Sequence, residues 1–425
     1  MSTSTQAIKH KQIYEVSPTR KLVMGILEIV ISAFIFFVFI RTVSAALKTT
    51  FVMTPGGINI GKTDNWILPT QLTLIILAAL ALIIGLYQLI KGFGHATNAM
   101  VGLCGLFLVF SFLTWQTAGQ SLNLAGMLTS AVLLSVPITL GAFSGLLSER
   151  AGVINIAIEG LMLMSSMVGA LIGSITNSAW LGLLGGVLAS ALLAGLHAIL
   201  SIKYRINQVI SGTVINIFSA GMTAFLSQKF LQTNQALNSP PLFPRIPLPG
   251  LAHIPIIGPI FFNTNLFVYI MFILLIIIQI ALFSTRWGLR LRSVGEHPKA
   301  ADTLGIKVVP TRYMAVLLSG VVAGIGGSFF TLGSVGRFEE GITAGKGFIG
   351  LAAMIFGNWT PVGSLGAGFL FGFADAIGSK LSLLGSKIPA QFMGMAAYLI
   401  TMIVLAGFIG KGQAPAADGE PYVKE

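Results

Sequence analysis

The run LFVYIMFILLIIIQIALFS (266–284) is followed, after a single threonine, by RWGLRLRSVGEHPKAADTLGIKVVPTR (286–312). The first stretch has no charged side chain and is long enough, as a helix, to cross the roughly 30 Å hydrocarbon core of a bilayer. The second carries six basic residues and two acids. An uncharged span that emerges into a short basic loop is the pattern that orients membrane helices, with the positive loop on the cytoplasmic side. The pair decides the fold class: a polytopic membrane protein.

Composition agrees along the whole chain. Of 425 residues 55% are hydrophobic and 9% charged, and the mean hydropathy is +0.88. A soluble domain carries about 25% charged residues, so this chain cannot cover a water-facing surface and must be solvated by lipid. Its 50 glycines suit helices that approach closely through small residues. The net charge of +12 lies in short loops between apolar runs, which speaks for membrane orientation and against a nucleic-acid partner. A single cysteine, Cys104, excludes an intramolecular disulfide and a cysteine metal site. The five histidines show no metal-ligand spacing.

Helical spans are predicted at about 22–41, 66–90, 98–114, 122–147, 152–174, 180–201, 207–230, 266–284, 312–333 and 391–410, with a short apolar helix at 347–357 and a fuller one at 361–378. The expectation is an all-α transmembrane bundle of about twelve spans with both termini in the cytoplasm. Lys9, His10, Lys11, Arg20 and Lys21 precede the first run with no cleavage pattern after it, which reads as a signal anchor. Lys91, Arg150, Lys203 and Arg205 mark other cytoplasmic loops, whereas 42–65 and 231–265 carry few charges and face outside. Seven prolines between 240 and 259 predict an extended, docked loop rather than a helix. The polar tail after Lys411 reads as disordered.

SERAGVINIAIEG (148–160) places Glu149, Arg150 and Glu159 at the end of one apolar run and inside the next. It is either a broken helix whose irregular backbone lines a cavity or a plain cytoplasmic turn. In the basic loop, Ser293 to Ile306 reads as a short helix, with Pro298 in a first turn and Gly305 at the end. Ala300, Ala301 and Leu304 give it a small apolar face. Such a helix suits docking into a groove on a soluble partner; the alternative is an amphipathic loop at the lipid headgroups.

VGEHPKAADTLGI (294–306) resembles the cytoplasmic coupling segment of permeases of the branched-chain amino acid, ribose and nucleoside importers within the ABC superfamily. SERAGVINIAIEG (148–160), NQVISGTVIN (207–216) and GFIGLAAMIFGNWTPVGSLGAG (347–368) resemble further signatures of the nucleoside and simple-sugar branch, in the same order. The resemblance covers about 125–410. It implies a permease core at 121–411, preceded by an additional membrane segment at 1–120 with three spans and followed by the tail, 412–425. It further implies a cytoplasmic ATPase subunit, a second permease subunit that is commonly unlike the first, and an external solute-binding protein. Coupling to the ATPase would involve Gly295, Glu296, His297, Pro298, Ala300, Ala301, Leu304 and Gly305. A nucleoside is the leading solute, with simple sugars or branched-chain amino acids the alternatives.

No G-x-x-x-x-G-K-[ST] phosphate loop occurs; GITAGK (341–346) has the wrong spacing. ATP and Mg are therefore expected on the partner, with no cofactor or metal on this chain. Polar groups inside spans are costly and so mark candidate pathway residues: Asn155, Glu159, Asn207, Gln208 and Asn216, with Asp375 beside them. For the amides the structural alternative is a helix–helix hydrogen bond, for Glu159 an ion pair with Arg150, and for Glu28 a neighbour-helix contact. A gradient-driven transporter would share the spans but not the coupling-like loop. An intramembrane enzyme would need a catalytic set such as His–Asp or Ser–Lys, and none is visible.

Overall fold

The computed structural model describes residues 18–56, 61, 63–383, 395 and 413–424. Ten helices among the described residues are long and apolar enough to cross a membrane, and Lys346–Phe356 is a shorter apolar helix. The span expected at 391–410, Met395 apart, and the basic residues Lys9 to Lys11 lie outside the described residues. The chain divides into two compact units, one of residues 1–53 and 64–124, the other of 54–63 and 125–425.

In the first unit the helices are Pro18–Thr42, Thr70–Ile90 and Gly94–Gln116. The first two meet through glycines: a Cβ on Gly25 would lie 2.6 Å from the Leu89 side chain, and one on Gly85 2.8 Å from Ile29. Glu28 is buried against Gly85, a neighbour-helix contact, and neither carboxylate oxygen has a hydrogen-bond partner among the described residues. The all-α expectation missed a three-stranded sheet here. Strand β1 (Lys48–Val52) pairs antiparallel with β2 (Trp66–Pro69) and parallel with β3 (Ser121–Asn123). Residues 66–69 were expected in a helix. They pair as a strand instead, and the helix starts only after Pro69, whose ring cannot donate to a helical ladder.

The second unit sorts its helices by burial. Leu124–Glu149 is 83% and Val308–Val335 78% buried, while Gln208–Leu231 and Leu266–Ser284 are only 28% buried. Ile273, Ile276, Ile277 and Ile280 stay exposed on the last of these, which is unremarkable when the solvent is lipid. The interior helices touch through small residues. A Cβ on Gly327 would lie 2.1 Å from the Met162 carbonyl oxygen, and one on Gly324 2.8 Å from Val187 Cα. Serines tie the same contacts: Ser165 donates to Gly324 O, Ser166 to Gly327 O and Ser190 to Gly320 O. Close backbones and interhelical hydrogen bonds replace the hydrophobic effect, which cannot drive helix association in lipid. The proline-rich loop is docked as expected, with short helical turns besides its extended part, and contributes a second small sheet. There β4 (Arg245–Pro247) pairs antiparallel with β5 (Asn263–Asn265).

Candidate functional site

The segment left open in the sequence is a buried break. The Leu124–Glu149 helix ends, the chain turns at Gly152 (φ 80°), and the next helix starts only at Ile158. Residues 151–153, 155 and 157 are buried, so their backbone groups cannot turn to water. Side chains from other helices meet them. Gln208 Oε1 accepts from Ile154 N (2.7 Å), and His197 Nε2 lies 3.0 Å from Ile154 O. Asn216 donates to Ile156 O and accepts from Gly160 N, both at 2.8 Å. Asn155 accepts from Ala157 N and donates to Ser319 Oγ, which pairs in turn with Ser144. Asn207 caps the following helix by accepting from Val209 N and Ile210 N. The four amides proposed from sequence are thus brought to one region, and each has hydrogen bonds within the chain. His197, Ser144 and Ser319 belong to the same network, and sequence reasoning missed them.

Glu159 has a different partner from the one expected. Arg150 donates through Nε and Nη2 to Trp359 O, at 2.9 and 2.6 Å. The Glu159 carboxylate instead accepts from Thr343 Oγ1 (2.6 Å), Gly345 N (2.9 Å) and Gly347 N (2.7 Å). These donors belong to GITAGKG (341–347), which runs into the Lys346–Phe356 helix. The glycine-rich loop dismissed as a phosphate cradle does cradle an anion, and the anion is the chain's own. Gly345 has φ 77°, and a Cβ on Gly347 would lie 2.6 Å from Glu159 Cα, so the close approach requires glycine. Lys346 pairs with Asp375, tying the short helix to Pro361–Leu383.

The basic loop is two helices, Arg286–Glu296 and Pro298–Thr303, rather than one. Between them His297 Nδ1 accepts from Ala300 N (3.1 Å), and Pro298 occupies the first turn. The expected small face divides. Ala301 is 3% exposed and packs with Val294, Val308 and Tyr422, and a Cβ on Gly295 would lie 2.3 Å from Arg150 O. Gly295 and Ala301 therefore pack within the chain. Glu296, His297, Ala300 and Gly305 are exposed, Pro298 is half-buried, and Leu304 is 82% exposed.

The tail is also corrected. Gln413–Lys424 is seated on this end of the bundle instead of being disordered. Ala417 N donates to Gly295 O (2.9 Å), Ala416 N to Glu296 Oε2 (3.2 Å) and Gln413 N to Asn358 Oδ1 (2.8 Å). Buried Arg312 donates through Nη1 to Glu420 O (2.8 Å). Asp418 hydrogen-bonds the Glu149 side chain, whose Oε2 also accepts from Trp359 Nε1 at 2.6 Å. Burial pushes the Asp418 carboxyl up to about 7, although its neighbours Glu149 and Arg312 pull the other way. Among the described residues no group of three His, Cys, Asp or Glu side chains is placed to hold a metal ion.

Residues 127–406 match the family model described as branched-chain amino acid transport system / permease component. The guanosine ABC transporter permease protein NupQ of Bacillus subtilis is 41% identical over 305 residues, 69% of this chain and 95% of that protein. The nucleoside ABC transporter permease protein NupC of Lactococcus lactis is 41% identical over 311 residues, 70% of this chain and 96% of its own length. A putative glucose ABC transporter permease protein of Haloferax volcanii, TsgC13, is 31% identical over 304 residues, 66% and 91% of the two chains. No solved structure matches. A helical membrane bundle, four sequence signatures in order and these likenesses agree: the chain belongs to the family of branched-chain amino acid transport system permease components.

Proposed function

We propose that this permease is the membrane-spanning subunit of an ATP-binding cassette importer for nucleosides in the cytoplasmic membrane. The observation that carries the reading is its 41% identity to two permeases named for guanosine and for nucleosides, over nearly their whole length. In this reading both termini are cytoplasmic, and about twelve spans cross the bilayer. Residues 1–120 form an additional membrane segment that precedes the 121–411 core in sequence. A separate ATPase uses ATP and Mg, an external binding protein delivers the solute, and a second, unlike permease subunit completes the pathway. This chain binds no cofactor of its own. Glu296, His297, Pro298, Ala300, Leu304 and Gly305 meet the ATPase, with Leu304 as the apolar anchor that its exposure supports. Asn155, Glu159, Asn207, Gln208 and Asn216 act on the pathway indirectly, by holding the break at 150–157 and the 346–356 helix in place.

Uptake of labelled guanosine, by cells that lack other nucleoside importers and express the whole transporter, tests the reading. Uptake should require the ATPase subunit. Accumulation without it would mean a gradient-driven carrier, and uptake of glucose but no nucleoside would favour the sugar reading that TsgC13 represents.

A further inference from the structure

Asn265 and Thr285 flank opposite ends of the Leu266–Ser284 helix, so β4 and β5 lie at the end of the bundle away from the Arg286–Thr303 helices. A cavity of about 270 Å³ opens there, bounded by the two strands, Phe329 to Ser334 and the first turns of the Leu124–Glu149 helix. Some of its polar groups are occupied by the fold. Asn265 donates to Gly333 O (2.8 Å) and caps Val268 N, and Thr129 donates to Ala125 O (2.9 Å).

Asn263 is the exception. It lies two residues before Asn265 on the same strand face, lines the cavity and is 8% exposed, yet its side-chain amide makes no hydrogen bond among the described residues. Across the strand pair Arg245 stands opposite Asn265 and lines the cavity, and its guanidinium has neither a hydrogen bond nor an ion pair there. The amide opens onto the cavity and is not committed to the fold, so it is available to a ligand there. The apolar wall is aromatic: Phe243 and Phe329 each meet Phe267 edge-on at 5.7 Å, and both face the cavity.

We infer that this cavity is a binding site for the base of a purine nucleoside entering the permease, an inference that rests on the nucleoside reading above. A planar fork of N–H donors matches the adjacent N7 and O6 acceptors on the guanine edge, and an amide supplies one donor and one acceptor beside it. The aromatic wall takes the face of the ring. The volume falls just under the roughly 300–1,000 Å³ of pockets that enclose a whole small ligand, so the site holds the base and leaves the ribose outside.

Equilibrium binding of tritiated guanosine and cytidine to the purified full chain in nanodiscs tests this, with uptake by the complete transporter measured in parallel. Guanosine should bind more tightly than cytidine. Asn263→Ala and Arg245→Lys should each weaken guanosine binding about tenfold and narrow the preference. Arg245→Lys keeps the charge and loses only the planar fork. Ser334→Trp, at an exposed position on the rim, fills the cavity mouth without disturbing packed residues and should block binding. Guanosine binding unchanged in all three variants, with wild-type uptake normal, would overturn the site and leave the permease reading intact. A wild-type transporter that moves neither nucleoside would overturn both.

Discussion

Two polar regions lie inside the same helical unit and are built on opposite terms. At the break around 150–157, Asn155, Gln208, Asn216 and His197 hydrogen-bond irregular backbone, so little polar capacity is left over. At the cavity bounded by β4, β5 and the neighbouring helices, the side chains of Asn263 and Arg245 have no hydrogen-bond partner among the described residues. The residue type is the same, asparagine, but the setting differs. An amide that completes buried backbone is structural, because removing it strands groups that water cannot reach. An amide facing an open cavity contributes nothing to folding and is available to a solute. Polarity within a membrane span is therefore not by itself a sign of a pathway.

The largest effect should come from the break. Asn216→Leu strands Ile156 O and Gly160 N, a cost on the order of 2–5 kcal/mol from two groups. Thermal unfolding in detergent should show a large drop, and the amount of folded protein should fall. Asn263→Ala should leave stability within about 0.5 kcal/mol. Equal losses in the two variants would erase the distinction between met and unmet amides.

The coupling helices allow a sharper version of the same contrast. Leu304→Glu, at an exposed position, should leave the protein folded and inserted while reducing co-purification of the ATPase by about tenfold or more. Ala301→Glu should instead reduce the folded protein itself, because a charge placed among Val294, Val308 and Tyr422 is buried without a partner. A Leu304→Glu variant that keeps full ATPase retention and transport would show that the docking surface lies elsewhere.

The smallest effect is a pH dependence in the tail. Burial raises the docked Asp418 carboxyl to about 7, against an ordinary value of 3.8, so the seated tail holds a proton that the released tail gives up. Its contribution to seating is complete below about pH 4, declines as pH rises, and is lost above about 7. Glu149 and Arg312 face it, with Glu420 on the far side of the pairing at Arg312, and Asp418→Asn removes the titrating group while keeping a hydrogen-bonding side chain. Hydrogen-exchange protection at residues 413–424, taken relative to the free-peptide rate at each pH, should fall between pH 6 and pH 8 in the natural protein and change much less in Asp418→Asn. Equal loss of protection in both would assign the dependence to another group.

Much of the bundle was legible in advance because apolar run length is a local property. The runs at 266–284 and 361–378, and the short helix near 347–357, fall within a few residues of the helices observed. Glu159, Asn155 and Asn216 were picked out by the cost of polarity in lipid, but not their partners. Glu159 meets Thr343, 184 positions away, and Arg150 meets Trp359, 209 positions away. No local pattern encodes such pairs. The GITAGK loop did carry a visible glycine signal, but a phosphate loop was the wrong comparison for it. The tail was misread because polar composition says nothing of a docking surface elsewhere in the chain, and Ala417 is buried on one.

The sequence by itself determined the solvent, the helical class and the family. Each depends on short stretches whose chemistry is complete within a few tens of residues: uncharged runs, basic loops and four ordered signatures. Only the tertiary structure decided which polar groups are met. It divided Ala301 from Leu304, paired Glu159 with a glycine loop instead of Arg150, seated the tail, and left Asn263 open. Satisfaction of a hydrogen bond belongs to a pair, and the second member of each pair comes from a distant part of the chain.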